Sequence, residues 1–135
     1  MQNKMMEILN EKFFKDEPVE MATDKYSCFD CFNSKYIIEL KNRKPPYGPT
    51  SFNGTTMIEK KKYDSLLENA KKTNRTPLYI VMFQINGEFY LWNLFKQNNI
   101  FWNTESRPAT TDFENNNMIN KISGDLSIKD AVKII

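Results

Sequence analysis

Apolar residues recur along this chain with two different periods. Across residues 3–14, Met5, Met6, Leu9 and Phe13 fall three to four apart, which predicts an amphipathic helix. Residues 18–23 predict a first strand, with Pro18 at its start, where a missing N–H does least harm. Asp24 and Lys25 then turn the chain, a task suited to an Asp side chain that hydrogen-bonds nearby backbone. Residues 26–32 and 36–44 are rich in aromatic and β-branched side chains and flank the turn-prone Asn33-Ser34, so they read as a hairpin.

Three prolines and two glycines between Pro45 and Gly54 predict a loop. Thr55 or Thr56 then caps a helix, with Glu59 completing a capping box, and the helix runs to about Lys72. Ile58, Leu66, Leu67 and Ala70 face inward on it, and Asn74 stops it. Residues 78–85 form the most apolar segment and predict a central strand buried on both faces. Asn86-Gly87 turns it into a partner strand over 88–94. Beyond Lys96 the pattern weakens. Phe101, Trp102 and Phe113 call for burial, 115–117 reads as a loop, 118–122 as a short strand and the segment from Leu126 to the end as a helix. The order is α-β-β-β-α-β-β, an α/β (α+β) chain.

The hairpin carries the chemistry. A loop at Asn33-Ser34 sets Asp30 opposite Ile37, and a loop at Ser34-Lys35 sets it opposite Glu39. In both registers Asp30, Glu39 and Lys41 share one face, with Ile38 and Leu40 pointing into the core; a bulge would break this parity. Two neighbouring carboxylates raise a pKa or call for a cation, and hard oxygen donors suit Mg²⁺ or Mn²⁺.

Composition narrows the classes. The 135 residues suit one domain, and with 40% hydrophobic residues the chain should fold. The absence of histidine excludes Ser-His and Cys-His hydrolases and histidine-bound metals. Cys28 and Cys31 form a lone Cys-x-x-Cys; on a strand they face opposite sides, which argues against a redox pair and favours buried thiols. No apolar run approaches the roughly 20 residues that span a bilayer, and the polar N-terminus lacks a signal-peptide core, so an intracellular, cytoplasmic protein is expected. The net charge of +2 is unevenly spread: residues 35–75 hold ten Lys/Arg and four Asp/Glu, a local +6 within an otherwise acidic chain. Such a stretch suits phosphates, or a merely solvated helix face.

Asp30, a short gap, then Glu39-Leu40-Lys41 on a hairpin, preceded by a helix and followed by a basic helix and an apolar strand, resembles the PD-(D/E)XK nuclease superfamily. The resemblance covers about residues 3–95, with 96–135 as a C-terminal extension. It implies a mixed sheet with an α-β-β-β-α-β restriction-endonuclease-like core. It also implies that Asp30 and Glu39, with the Leu40 carbonyl, bind Mg²⁺ or Mn²⁺ while Lys41 orients or deprotonates the attacking water. A further acid often lies on the first helix of such proteins. Glu7 and Glu11 are available, both point away from the apolar stripe as exposed charge would, and Glu7 is retained as the candidate.

Arg43, Lys44 and Lys60, Lys61 and Lys62 would contact phosphates, although successive helical residues fan out by about 100°, so at least one of the triplet must be solvated. Tyr47 and Phe52 would either stack on bases or cover the core edge. The implied activity is that of a small stand-alone, phage-like DNA endonuclease or junction resolvase, working as a homodimer. The rival is a non-catalytic nucleic-acid-binding or accessory protein on the same fold.

Overall fold

The computed structural model describes residues 1–23, 27–108 and 118–135, so the expected Asp24 turn, Phe113 and the loop at 115–117 lie outside the described residues. Helix α1 (Gln2–Lys12) leads into β1 (Glu20–Met21), β2 (Cys31–Phe32) and β3 (Tyr36–Arg43). A kinked turn, α2 (Ser51–Gly54), precedes β4 (Thr55–Glu59) and the long helix α3 (Lys60–Thr73). Then come β5 (Thr76–Phe83), β6 (Glu88–Asn93), β7 (Trp102–Pro108), β8 (Met118–Ser127) and β9 (Val132–Lys133). The fold is a mixed α+β one, with the expected α-β-β-β-α-β order interrupted by β4.

The main sheet has the order β1-β2-β3-β5-β6-β9. Strands β3 and β5 are parallel, pairing Ile38 with Leu78, Glu39 with Tyr79 and Lys41 with Val81, whereas the other neighbours are antiparallel. Parallel neighbours need a long crossover, here supplied by β4 and α3. Strand β5 is buried along nearly its whole length, because a helix covers each face of the sheet. Met5 and Leu9 of α1 pack with Ile38, Leu40, Leu78 and Ile80 on one face. Leu66 and Ala70 of α3 pack with Ile37, Tyr79, Val81 and Trp92 on the other.

Several expectations are corrected. The chain leaves α1 early, with Phe13 at φ −124°, so Phe13 is exposed and Phe14 takes the buried position. Thr55–Glu59 is a strand, since Thr56 and Ile58 alternate inward and pair with β8; no side chain caps α3, which begins only at Lys60. Strand β5 ends at Phe83, leaving Ile85 exposed in the turn. The Asn86-Gly87 turn is present, closed by Gly87 N–H on the Phe83 carbonyl at 2.8 Å with Gly87 at φ +70°. Helix α3 does stop at Asn74, which adopts left-handed φ 55° while Arg75 N–H closes on the Ala70 carbonyl at 2.9 Å.

The C-terminal extension builds sheet rather than helix. Strands β4, β8 and β7 form a second, three-stranded sheet, β9 joins the edge of the main one, and Phe101 is 79% exposed. Trp92 joins the sheets by donating its indole N–H to the Ser127 carbonyl at 2.9 Å.

Candidate active site

Strand β3 turns Ile38 and Leu40 to the α1 side, as its alternation requires, so Glu39 and Lys41 look toward α3 and β4. The hairpin is centred on Ser34-Lys35, the second of the two registers the sequence admits. Asn33 fixes this turn, its side-chain oxygen accepting from the N–H groups of Lys35 and Tyr36 at 2.9 Å each. Asp30 departs from simple alternation. Cys31 is in register with Ile38, yet Asp30 N–H also donates to the Ile38 carbonyl at 2.9 Å, so two residues face one as in a bulge. The half-buried Asp30 side chain reaches across the strands and accepts from Leu40 N–H at 2.8 Å. Its carboxylate is thereby tied to the Glu39-Leu40 peptide.

The Glu39 side chain is only 15% exposed. Burial, and then the charge of Asp30, push its carboxyl from 4.5 up to about 7. Lys62, from the first turn of α3, opposes that shift from 3.5 Å, an ion-pair distance without hydrogen-bond geometry. The buried Oε2 of Glu39 therefore has no hydrogen-bond donor, and the Lys62 amine donates instead to the Cys28 carbonyl at 3.2 Å. Lys41 reaches solvent, yet partial burial first and the neighbouring charge of Arg43 second hold its amine below the usual lysine range. Glu39, Lys41, Arg43, Glu59, Lys62 and Tyr79 line a cavity of about 120 Å³, room for an ion and a few waters.

These features fit a hard divalent cation. The donors are oxygen alone, and Glu39 carries a buried acceptor without a donor beside a second carboxylate. Among the described residues no group of three or more His, Cys, Asp or Glu gathers around one point, and Asp30 stands behind the cavity rather than in its wall, so an ion would have at most these two carboxylates to draw on and would keep waters of its own. Glu7 does not join the pair, a correction to the expected third acid. It is exposed on α1, whose buried face packs on the Ile38 and Leu40 side of the sheet, opposite Glu39.

The expected phosphate contacts divide. Lys44 and Lys61 are exposed. Arg43 spends Nε on the Thr56 hydroxyl at 3.2 Å and a terminal nitrogen on the Met57 carbonyl at 3.0 Å, tying β3 to β4. Lys60 pairs with Asp64 at 2.7 Å and lies over the Trp102 ring. Lys62 turns inward to Glu39, and Tyr47 stacks on Phe52. Cys31 is buried in the α1-side core and Cys28 packs on the other side; both are free thiols, Cys31 pushed up to about 12 by burial. Sequence reasoning missed Glu59 and Tyr79 as cavity walls. The alternation Thr56, Ile58 was the available signal, hidden behind an apparent capping box.

No protein-family model matches the chain, and no curated protein matches it. The fold that carries the pair resembles that of a solved resolvase. In particular, the chain is similar to the 1.6 Å structure of Hjc from Archaeoglobus fulgidus, a Holliday junction resolvase from an archaeal hyperthermophile. The TM-score is 0.59 over 99% of this chain and 93% of that one, at 11% identity, a likeness of fold. Among the described residues no helix is long and apolar enough to cross a membrane.

Proposed function

We propose that this protein is a divalent-metal-dependent endonuclease that hydrolyses phosphodiester bonds in branched DNA. The observation that carries the reading is the buried, donor-less oxygen of Glu39 beside Asp30, with Lys41 two residues along the same strand, on a resolvase-like fold. Asp30 and Glu39 would hold Mg²⁺ or Mn²⁺, with the Leu40 carbonyl beside them. Such an ion neutralises the scissile phosphate and lowers the pKa of water.

The chain's own groups have separate tasks. Asp30, anchored on Leu40 N–H, keeps its carboxylate against the Glu39 peptide, so the two acids stay together before substrate arrives. Lys41 orients the attacking water and offers positive charge to the phosphate as charge develops; burial and Arg43 hold its amine below the usual lysine range. Lys62 balances Glu39 from the α3 side. Arg43 holds the strand that walls the cavity, and exposed Lys44 and Lys61 are left to meet flanking phosphates. Cutting both strands of a junction takes two such sites, hence a homodimer in the cytoplasm.

The test compares wild type, Lys41→Ala and Glu39→Gln on four-way-junction, duplex and single-stranded DNA with Mg²⁺ or Mn²⁺. Junction cleavage by the wild type is expected. Lys41→Ala should lose on the order of 10²-fold or more in rate with affinity nearly kept, and Glu39→Gln should abolish metal-dependent cutting. A wild type that binds DNA but cuts nothing in Mn²⁺ at high protein concentration would leave the non-catalytic binding protein as the reading.

A further inference from the structure

Past Arg43, the strand that carries Glu39 and Lys41 runs into a loop whose apolar side chains belong to neither core. Tyr47 is 47% exposed and Phe52 69%. Their rings stack on each other with centroids 5.3 Å apart and planes 25° from parallel. Ile85, also exposed, lies against this loop, since a Cβ on Gly48 would meet its Cγ2 at 3.3 Å. Phe52 and Asn53 adopt φ of 52° and 59°, a left-handed conformation that asparagine tolerates but that is unfavourable for phenylalanine. Local hydrogen bonds fix it: Ser51 Oγ accepts from Gly48 N–H at 2.9 Å, and the Thr55 hydroxyl donates to the Phe52 carbonyl at 2.8 Å. The loop thus holds a strained backbone to present an aromatic ring to solvent, where it gains little burial. The cavity beside the rings measures about 580 Å³ and is bounded by Arg43, Tyr47, Phe52, Asn53 and Asp125.

We propose that Tyr47 and Phe52 are a stacking platform for an unpaired nucleobase of the DNA substrate. The proposal rests on the nuclease reading and narrows it to DNA with unpaired bases near the cut. Three observations select a base over other occupants. The cavity is several times larger than the one at Glu39, with a size that suits an organic ring rather than an ion. Asp125 on its wall offsets Arg43, leaving no net positive charge to hold a phosphate, and accepts hydrogen bonds from the exocyclic amino groups of bases. Arg43 lines both cavities, so the platform continues the Glu39 site along β3. From Glu39 to Arg43 the strand rises roughly 13 Å, about four stacked nucleotides. Stacking accepts any base, so the platform recognises unpairing rather than sequence.

The test is equilibrium binding in EDTA to two labelled DNAs of equal length, one fully paired and one with a short unpaired stretch carrying 2-aminopurine. The wild type should bind the unpaired DNA roughly 5- to 100-fold tighter and quench the 2-aminopurine. Phe52→Ala and Tyr47→Ala should each shrink that ratio and restore the fluorescence, and Phe52→Trp should keep both. Equal binding of the two DNAs by the wild type, or an Ala pair that keeps the ratio, overturns the platform. If the platform behaves as expected yet no DNA is cut in Mg²⁺ or Mn²⁺, the nuclease reading fails and the platform stands. A wild type that binds no DNA overturns both.

Discussion

Replacing Glu39 with Gln should stabilise the metal-free protein strongly at pH 8 and only slightly at pH 5. In the folded chain this carboxyl is raised from 4.5 to about 7, by burial and by Asp30. Between those values the folded state binds more protons than the unfolded one, so stability falls as pH rises. The stabilisation is fully present below pH 4.5 and lost as pH rises through 7. At about 1.4 kcal/mol per pH unit the whole effect is about 3 kcal/mol, most of it between pH 5 and pH 8. Glu17 and Glu88, held below the usual carboxylate range by hydrogen bonds from Ser34 and Tyr90, contribute with the opposite sign at more acidic pH. Lys41, lowered chiefly by burial, contributes toward the alkaline end. These contributions cancel when the variant is compared with the wild type. Urea unfolding in EDTA at the two pH values measures the difference. Identical pH dependence in both proteins, or a variant less stable than wild type at pH 8, would refute the reasoning.

Three other outcomes follow. Calorimetry with Mn²⁺ should show weaker binding by Asp30→Asn and tighter binding by Lys62→Gln, which removes the ammonium 3.5 Å from Glu39; equal binding by wild type and Asp30→Asn would exclude Asp30 as a ligand. On duplex DNA, Lys61→Ala and Lys44→Ala should each make the slope of log K against log salt shallower by about one, whereas Lys60→Ala, already paired with Asp64, should not; the reverse pattern would refute this partition. Gly124→Ala should cost about 1–3 kcal/mol in urea unfolding, because its Cβ would run into the Ile100 side chain and meet the Trp102 ring at 2.9 Å; a neutral result would contradict the packing of β8.

Much of the fold was legible because its signals are local. Six apolar residues in succession, Leu78 to Phe83, mark a central strand, and Asn74 and Asn86-Gly87 carry their own turn chemistry. Strand parity likewise placed Glu39 and Lys41 opposite Ile38 and Leu40. What parity could not show is the bulge at Asp30, because a one-residue shift depends on backbone pairing and leaves no mark on composition. Thr55–Glu59 misled for a different reason. Thr-x-x-Glu before a basic run serves a helix start or a strand equally well, and the choice was made by β8, sixty residues later. The inward Lys62 followed from that error, since the start of α3 decides which lysine of the triplet meets Glu39.

The insertion of β4 also explains the charge balance of the site. By ending at Glu59, β4 starts α3 where Lys62 can reach Glu39, while Arg43 is held on the Thr56 hydroxyl and the Met57 carbonyl. Around the small cavity and its partner acid stand Lys41, Arg43 and Lys62 against Asp30, Glu39 and Glu59, three of each sign when Glu39 is ionised. Glu59 also pairs with Lys121 of β8 at 3.1 Å, which brings the cluster to one net positive charge. A site so balanced gives an anionic phosphodiester little net attraction by itself. A divalent cation bound between Asp30 and Glu39 would tip it by two positive charges, in a cavity where burial keeps electrostatic screening weak. On the nuclease reading, phosphate affinity at this site should therefore depend on the ion, while affinity for the rest of the DNA would rest on exposed lysines such as Lys44 and Lys61. Such a separation of duties would account for a basic stretch along the chain that coexists with a centre nearly neutral without metal.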